Sequence, residues 1–332
     1  MNYEDIFERL LLLEYKEKGL SDRKIAIYPY GRIGKLTRQV MRNRFNLDNI
    51  WCIDNHLKED GVVTYEEFMK EEQRDVLWIL STERQEVFNQ LMVRLFLFGI
   101  NAKNIFILKE ELLLSKRALE RMIADDSYRT VLDVGCGEGI HGRILEDYGK
   151  KVTGLTYSKT NFYQCKCLKN MIYTDFLEYE PTTKYDIVWA SHIMEHIADE
   201  MKFIRKLKEC VREEGCIAIT VPARESNILL SHVHSYNAGR VLRFLLCAGI
   251  DCREAEILEY GYNLSIIIPN IHEIPELIDA RKIEYREIFD AENILHYLPK
   301  EISLRKAWGG NTFFNGDIRE INWKLSKYDF QL

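Results

Sequence analysis

Two groups of residues in this chain have the types and spacing to do chemistry. The first is glycine. Gly135, Gly137 and Gly139 follow the apolar run Val131-Leu132-Asp133-Val134, ahead of a helix-length segment and a second apolar run, Lys151 to Leu155. Such glycines let a bulky ligand approach the backbone, because no Cβ stands in the way. The amides opening the next helix then face that ligand. The second group is histidine. His192 and His196 flank Glu195 in Ser191-His-Ile-Met-Glu-His196, directly after the apolar run Tyr185 to Ala190. His232 and His234 alternate in Ser231-His-Val-His-Ser-Tyr236, and an extended segment would turn both to one side. A neutral imidazole near pH 7 can take the proton of an attacking hydroxyl. The plainer alternatives are a tight α/β turn for the glycines, a first-turn histidine satisfied by backbone or carboxylate for His196, and solvated loop histidines for the other pair.

These residues need elements to hold them. Apolar runs predict strands at 130–134, 151–155, 171–174, 185–190 and 215–221. A late pair near 254–260 and 262–268 is separated by Gly261, which predicts a tight antiparallel turn. Ahead of them, residues 22–108 alternate strands (24–28, 49–53, 75–80, 104–108) with helices (31–44 and about 82–98). That alternation predicts a parallel sheet with helices on its faces. A charged helical connector, 109–128, joins the two units. The fold class expected is α/β with two Rossmann-like parallel-sheet units, the last strand of the second running antiparallel. The expected domains are 1–110, 111–270, and a C-terminal extension 271–332 packed on the second.

The stretch D-V-G-C-G-E-G resembles motif I of class I S-adenosylmethionine-dependent methyltransferases. The resemblance covers about residues 118–270 and is specific for the cofactor, not for the acceptor. It implies that Asp133, Gly135, Cys136, Gly137 and Gly139 cradle the methionine end. Most members carry an acid where Thr156 stands, to bind the ribose hydroxyls; here Gly154-Leu-Thr-Tyr-Ser158 departs from that. The ribose contact then falls to the Thr156 hydroxyl, to backbone, or to Asn161. After the third strand the resemblance makes Asp175 the acceptor of the adenine amino group, with Phe176 covering the ring; the alternative is an Asp that caps a turn. Active sites of open parallel sheets lie at the carboxyl ends of strands. Ser191 and His192 therefore stand where the methyl group should emerge. Glu214-Gly-Cys-Ile-Ala-Ile-Thr-Val-Pro222 is similar to the fifth strand, and the loop carrying His232 and His234 crosses the mouth. His192, His232 and His234 are the catalytic candidates, with a slight preference for O-methylation.

Tyr28-Pro-Tyr-Gly-Arg-Ile-Gly34 occupies a dinucleotide turn with Asp54 about twenty residues on, but Pro29 stands where the first glycine belongs. The unit resembles small nucleotide-binding-like domains of bacterial sugar-modifying and surface-glycan enzymes. It is either a scaffold or dimerisation module, or it recognises a nucleotide or nucleotide-sugar. Trp308 to Gly316 mixes glycines, aromatics and amides, which suits a sugar ring or an ordinary packed loop.

Composition narrows the partners. With a net charge of −6 in 332 residues, no global basic surface invites nucleic acid. No apolar run is long enough to span a bilayer, and the acidic N-terminus lacks a signal-peptide pattern. Eight cysteines without a C-x-x-C pair read as reduced thiols of a cytoplasmic protein. Cys165-x-Cys167 has no matching ligand cluster at zinc-site spacing, so no metal is expected. The chain reads as a methyltransferase acting on a small molecule, from domain analogy a sugar or nucleotide-sugar, with a homodimer left open. The alternatives are a non-catalytic protein that holds S-adenosylmethionine or a nucleotide, and an oxidoreductase using the first unit.

Overall fold

The computed structural model describes residues 1–17, 20–70, 75–164, 167–224, 229–275, 294–307 and 312–325. They divide into two compact units, Met1–Lys116 and Arg117–Gln331.

The first unit runs α1 (Tyr3–Glu17), β1 (Lys24–Tyr28), α2 (Arg32–Phe45), β2 (Ile50–Ile53), β3 (Val62–Val63), α3 (Tyr65–Phe68), β4 (Val76–Leu80), α4 (Gln85–Leu97) and β5 (Ile105–Ile107). Its five strands pair in parallel in the order β3-β2-β1-β4-β5. Alternation along the strands sorts their side chains to two faces. Ile25, Ile27, Leu77 and Ile79 pack with Ile6 and Leu10 of α1 and Ile33 and Val40 of α2. Trp78 instead meets Tyr28, Tyr65 and Phe68, with ring centroids 5.3–6.3 Å apart. In the turn after β1, Ser81 Oγ donates to Pro29 O at 2.6 Å, and a Cβ on Gly34 would stand 2.7 Å from that oxygen. Asp54 accepts from the amides of His56 and Leu57, so one of its oxygens caps a turn.

The second unit continues with α5 (Lys116–Ala124), β6 (Thr130–Val134), α6 (Ile140–Asp147), β7 (Lys151–Thr156), α7 (Lys159–Gln164), β8 (Met171–Tyr173), β9 (Tyr185–Ser191), α8 (Glu200–Cys210), β10 (Val211–Pro222), α9 (Ala238–Cys247), β11 (Glu256–Tyr260) and β12 (Asn263–Ile268). The short β13 (Arg305–Lys306), β14 (Thr312–Phe313) and β15 (Glu320–Ile321) follow. The main sheet has eight strands in the order β15-β11-β12-β10-β9-β6-β7-β8. β12 is antiparallel to β11, as the Gly261 turn predicts, and also to β10. β15, which has no signal in the sequence, adds a further antiparallel edge. A core of Leu132, Val188, Ile217 and Ile219 packs with Phe203 and Leu207 of α8 and Val241 and Leu245 of α9.

The order fixes where a ligand can bind. From β6 the chain winds outward through β7 and β8, then returns to place β9 on the other flank of β6. The crevice at that reversal opens at the carboxyl ends of β6 and β9, and those ends carry Gly135 and Ser191. Among the described residues, no helix is long and apolar enough to cross a membrane.

Residues 308–311 and Cys165 lie outside the described residues. Of the remainder of the Trp308–Gly316 motif, Gly316 O accepts from Gly239 N at 2.9 Å, close to the Asn237 cap of α9. Asn237 accepts from Arg240 N at 2.9 Å and donates to Asp317 at 3.0 Å. Asn237→Ala should therefore cost about 1 kcal/mol of stability, the usual loss of an N-cap. Urea unfolding with an unchanged slope would measure it.

Candidate active site

The loop after β6 is held open by its backbone. Gly135, Gly137 and Gly139 have φ of +69°, +53° and +79°, a region in which L side chains are strained. Their surroundings differ. A Cβ on Gly135 would lie 2.8 Å from Ile193 Cδ1, so this glycine is required for close contact with the loop after β9. A Cβ on Gly137 would meet nothing within 4 Å. Cys136 is the fixed point between them. Its amide donates to Leu155 O at 2.9 Å, its carbonyl accepts from Gly139 N at 2.8 Å, and its buried thiol lies against Gly154. Cys136 therefore supports the loop from beneath.

Asp133 lies in β6 under this loop, only 2% exposed. It accepts from the amide of Gly142, and its Oδ2 has no hydrogen-bond partner among the described residues. Burial pushes its carboxyl up to about 7, and the single amide offsets that in part.

On the ribose side, Thr156 Oγ1 accepts from Ser158 N and Ser158 Oγ from Asn161 N, both at 3.2 Å. These bonds shape the turn from β7 into α7 and leave the Thr156 hydroxyl proton to find an acceptor. Asp175 is exposed at the end of β8, and its Oδ1 accepts from Leu177 N at 2.9 Å. Phe176 departs from the sequence expectation. It is buried in the core with its ring 5.4 Å from Phe203, so it offers no open face. The exposed aromatic surface here comes instead from Tyr157 and Tyr173, stacked at 6.0 Å and 8°. The only sequence signal for Tyr157 is its place directly after Thr156.

Across the crevice, Ser191 pairs in register with Thr220. His192 follows with φ of +52°, a strained position for a non-glycine residue and one frequent at functional sites. Its amide donates to Thr220 O at 2.8 Å. Its ring stacks on Tyr262 at 5.5 Å and is wedged between two acceptors. Nε2 donates to Asn263 Oδ1 at 2.9 Å, the amide orientation being set by Asn263 Nδ2 donating to Tyr260 O. Nδ1 faces Glu195 Oε1 at 3.3 Å. Glu195 is 1% exposed and its Oε2 has no partner among the described residues. In the sequence Glu195 stands at a helix opening with no role of its own. The loop 229–236 is fastened to it through Val233 N and brings His232 near its carboxylate, which no local pattern signals.

The loop histidines part company. His232 lies beside His196, ring centroids 5.0 Å apart, and its ring nitrogens make no hydrogen bond among the described residues. His234 turns instead to Glu200, with Nδ1 3.3 Å from Oε1, and its Nε2 is 3.4 Å from Ala198 O. Alternation therefore does not bring the two to one set of partners. The loop is pinned by Val233 N donating to Glu195 O at 2.9 Å.

Residues 108–249 match the family model described as a methyltransferase domain. A probable S-adenosylmethionine-dependent methyltransferase of Mycolicibacterium smegmatis is 22% identical over 148 residues, or 41% of this chain and 58% of that protein. A ubiquinone biosynthesis O-methyltransferase of Methylobacterium sp. is 32% identical over 95 residues, 26% and 38% of the two chains. This chain thus spans less than two thirds of the length of either relative. The structure of a methyltransferase from Bacteroides fragilis with S-adenosylhomocysteine is similar with a TM-score of 0.36 and 20% identity, over 47% of this chain and 76% of that one. The match places a methyltransferase domain in this part of the chain, most of it in the second unit.

Proposed function

We propose that the protein methylates a small polar acceptor at the expense of S-adenosylmethionine, the acceptor group being a hydroxyl of a sugar or nucleotide-sugar. One observation carries this reading. The space beside Gly137 is open, in a positive-φ loop over a buried carboxylate that has an unpartnered oxygen. Such a site fits a ligand that ends in an amino acid with a cationic nitrogen.

When bound, the cofactor supplies a methyl group activated on a sulfonium. Gly135 to Gly139 would hold it from the main chain, with Asp133 beneath. Thr156 and Asn161 would serve the ribose, Asp175 with the Tyr157 and Tyr173 faces the adenine, and Ser191 the exit of the methyl group. As the acceptor oxygen forms its bond to the methyl carbon, its proton must leave. His192 and His232, on either side of Glu195, are the groups that receive or stabilise it. His234, tied to Glu200, positions the loop. The first unit serves recognition of a nucleotide portion of the acceptor, and the protein works in the cytoplasm.

Calorimetry with S-adenosylhomocysteine, NAD and UDP-sugars, followed by labelled methyl transfer into UDP-sugars and a cell extract, tests this. S-adenosylhomocysteine binding with incorporation of label is expected. Binding without transfer to any acceptor would leave a cofactor-holding protein, and no adenosyl binding would overturn the reading altogether. His232→Ala should lower turnover on the order of 100-fold, in the range of general acid–base effects, with S-adenosylhomocysteine affinity little changed. An equal loss in both would place His232 in cofactor binding instead.

A further inference from the structure

We propose that Glu195, His196 and His232 form a binding site for a single zinc-type divalent transition-metal ion on the acceptor side of the methyltransferase crevice. The site itself stands on geometry alone; only its role in activating the acceptor rests on the function proposed above.

The three side chains each direct one ligand atom into a common space, and these atoms lie within 4.8 Å of one another. Glu195 Oε1 and His196 Nε2 are 4.0 Å apart, too far for a hydrogen bond. Two ligands about 2.0–2.1 Å from a tetrahedral ion stand roughly 3.3 Å apart, so the Glu195–His196 pair must close by about 0.7 Å and no pair of the set by more than about 1.5 Å.

The protonation pattern suits a ligand set. His196 Nδ1 lies 2.7 Å from Ser231 O, and a carbonyl can only accept, so Nδ1 carries the hydrogen. When the ring is neutral, Nε2 then presents its lone pair towards Glu195. A ligand histidine that donates its other N–H to a backbone carbonyl is the usual outer-shell arrangement of metal sites. Glu195 is in contact with His192 on its other side. Its Oε1 is 3.3 Å from His192 Nδ1, and His192 is braced in turn by Asn263. That leaves Oε2 buried and without a partner among the described residues. A buried carboxylate with a free oxygen is costly unless a cation or donor meets it. His232 completes the set with ring nitrogens that no described residue bonds.

The segment is also built in advance. Ser231 and Val233, the neighbours of His232, are bound to His196 and Glu195 respectively. The third ligand is therefore held in place by the His196 ring on one side and the Glu195 main chain on the other. Two imidazoles and a carboxylate favour zinc or cobalt over magnesium or calcium, which prefer all-oxygen sites. Three protein ligands leave a fourth position open, as in catalytic zinc sites. With the ion bound, His232 acts as a ligand and no longer as the proton acceptor; an acceptor hydroxyl at the open position would lose its proton more readily, the proton passing to solvent as the oxygen–methyl bond forms.

The test uses the full chain, stripped with a chelator and titrated with Zn²⁺ by calorimetry. Co²⁺ titration with visible spectroscopy follows. One Zn²⁺ per chain is expected, with intense ligand-field bands for Co²⁺ and no thiolate charge-transfer band. Glu195→Gln and His232→Ala should each weaken Zn²⁺ binding by about 100-fold or more, as loss of one ligand does, whereas His234→Ala should leave it within about 3-fold. Failure of the wild-type chain to bind stoichiometric Zn²⁺ overturns the site, as does a thiolate band or equal binding by the variants. If a variant misfolds, the wild-type Co²⁺ spectrum decides. A chain that binds S-adenosylhomocysteine but no Zn²⁺ loses the metal site alone. One that binds Zn²⁺ here but no adenosyl compound keeps the site and loses the methyltransferase reading.

Discussion

Gly137→Val should abolish adenosyl binding, raising the Kd for S-adenosylhomocysteine by more than about 100-fold, which is about 2.7 kcal/mol. Two effects combine. A β-branched residue at φ +53° is strained, and its side chain would enter a face of the loop where a Cβ meets nothing within 4 Å. The backbone must then either leave its positive φ or fill the proposed cradle with methyl groups. A control isolates the second effect. Gly149 also has positive φ, +91°, with nothing within 4 Å of a Cβ, but it lies after α6 rather than in the loop. Gly149→Val should lose similar stability by urea unfolding and keep its affinity. Retained binding in Gly137→Val would remove the loop from the cofactor site.

The second large effect concerns Asp133. Its carboxyl is raised to about 7 by burial, against about 3.9 in an unfolded chain. Between about pH 4 and 7 the unfolded chain therefore releases this proton while the folded chain keeps it. Folding stability from this group is complete below about pH 4, falls as pH rises towards 7, and is level above that. The full difference is about 4 kcal/mol as an upper limit. Asp133→Asn should match the parent near pH 4 and be the more stable by up to about that amount at pH 8, in the absence of ligand. Urea unfolding at the two pH values measures the difference between the profiles, which cancels the other titrating groups. Parallel profiles would mean that the carboxyl is solvated in the folded chain. A cationic ligand group beside it reverses the preference, because it stabilises the anion. S-adenosylhomocysteine should accordingly stabilise the parent chain more at pH 8 than at pH 5, and Asp133→Asn should lose that difference.

The same residues show how much of the molecule is legible in its sequence. The glycine loop can be read because its requirement is local. Only glycine sits without strain at positive φ, so the spacing of Gly135, Gly137 and Gly139 carries the conformation in the residues themselves. The strands are equally legible, since apolar runs bounded by turn residues report burial directly. The antiparallel pairing of β11 with β12 comes from the short turn at Gly261 and Tyr262. The two-stranded contact of Glu320–Ile321 with β11 does not, because two residues give no period to detect.

The histidines mark the other limit. Their presence near a crevice follows from the strand ends that carry them, but their partners do not. Whether His192 meets Asn263 depends on pairing β10 with β12 across the sheet. The local period places His232 and His234 alike. The separation arises because Val233 is fastened to Glu195 while His234 is drawn to Glu200 at the start of α8. Phe176 escapes the sequence expectation for the same reason: an aromatic at a strand end can face a ligand or the core, and the position of Phe203 on α8 decides it. By itself, then, the amino-acid order determined the strands, the turn that only glycine can make, and the class of cofactor. Which polar groups meet in the crevice was decided by tertiary structure, because hydrogen bonds and ion pairs act over about 3–4 Å between segments far apart in sequence, and no periodicity encodes such meetings.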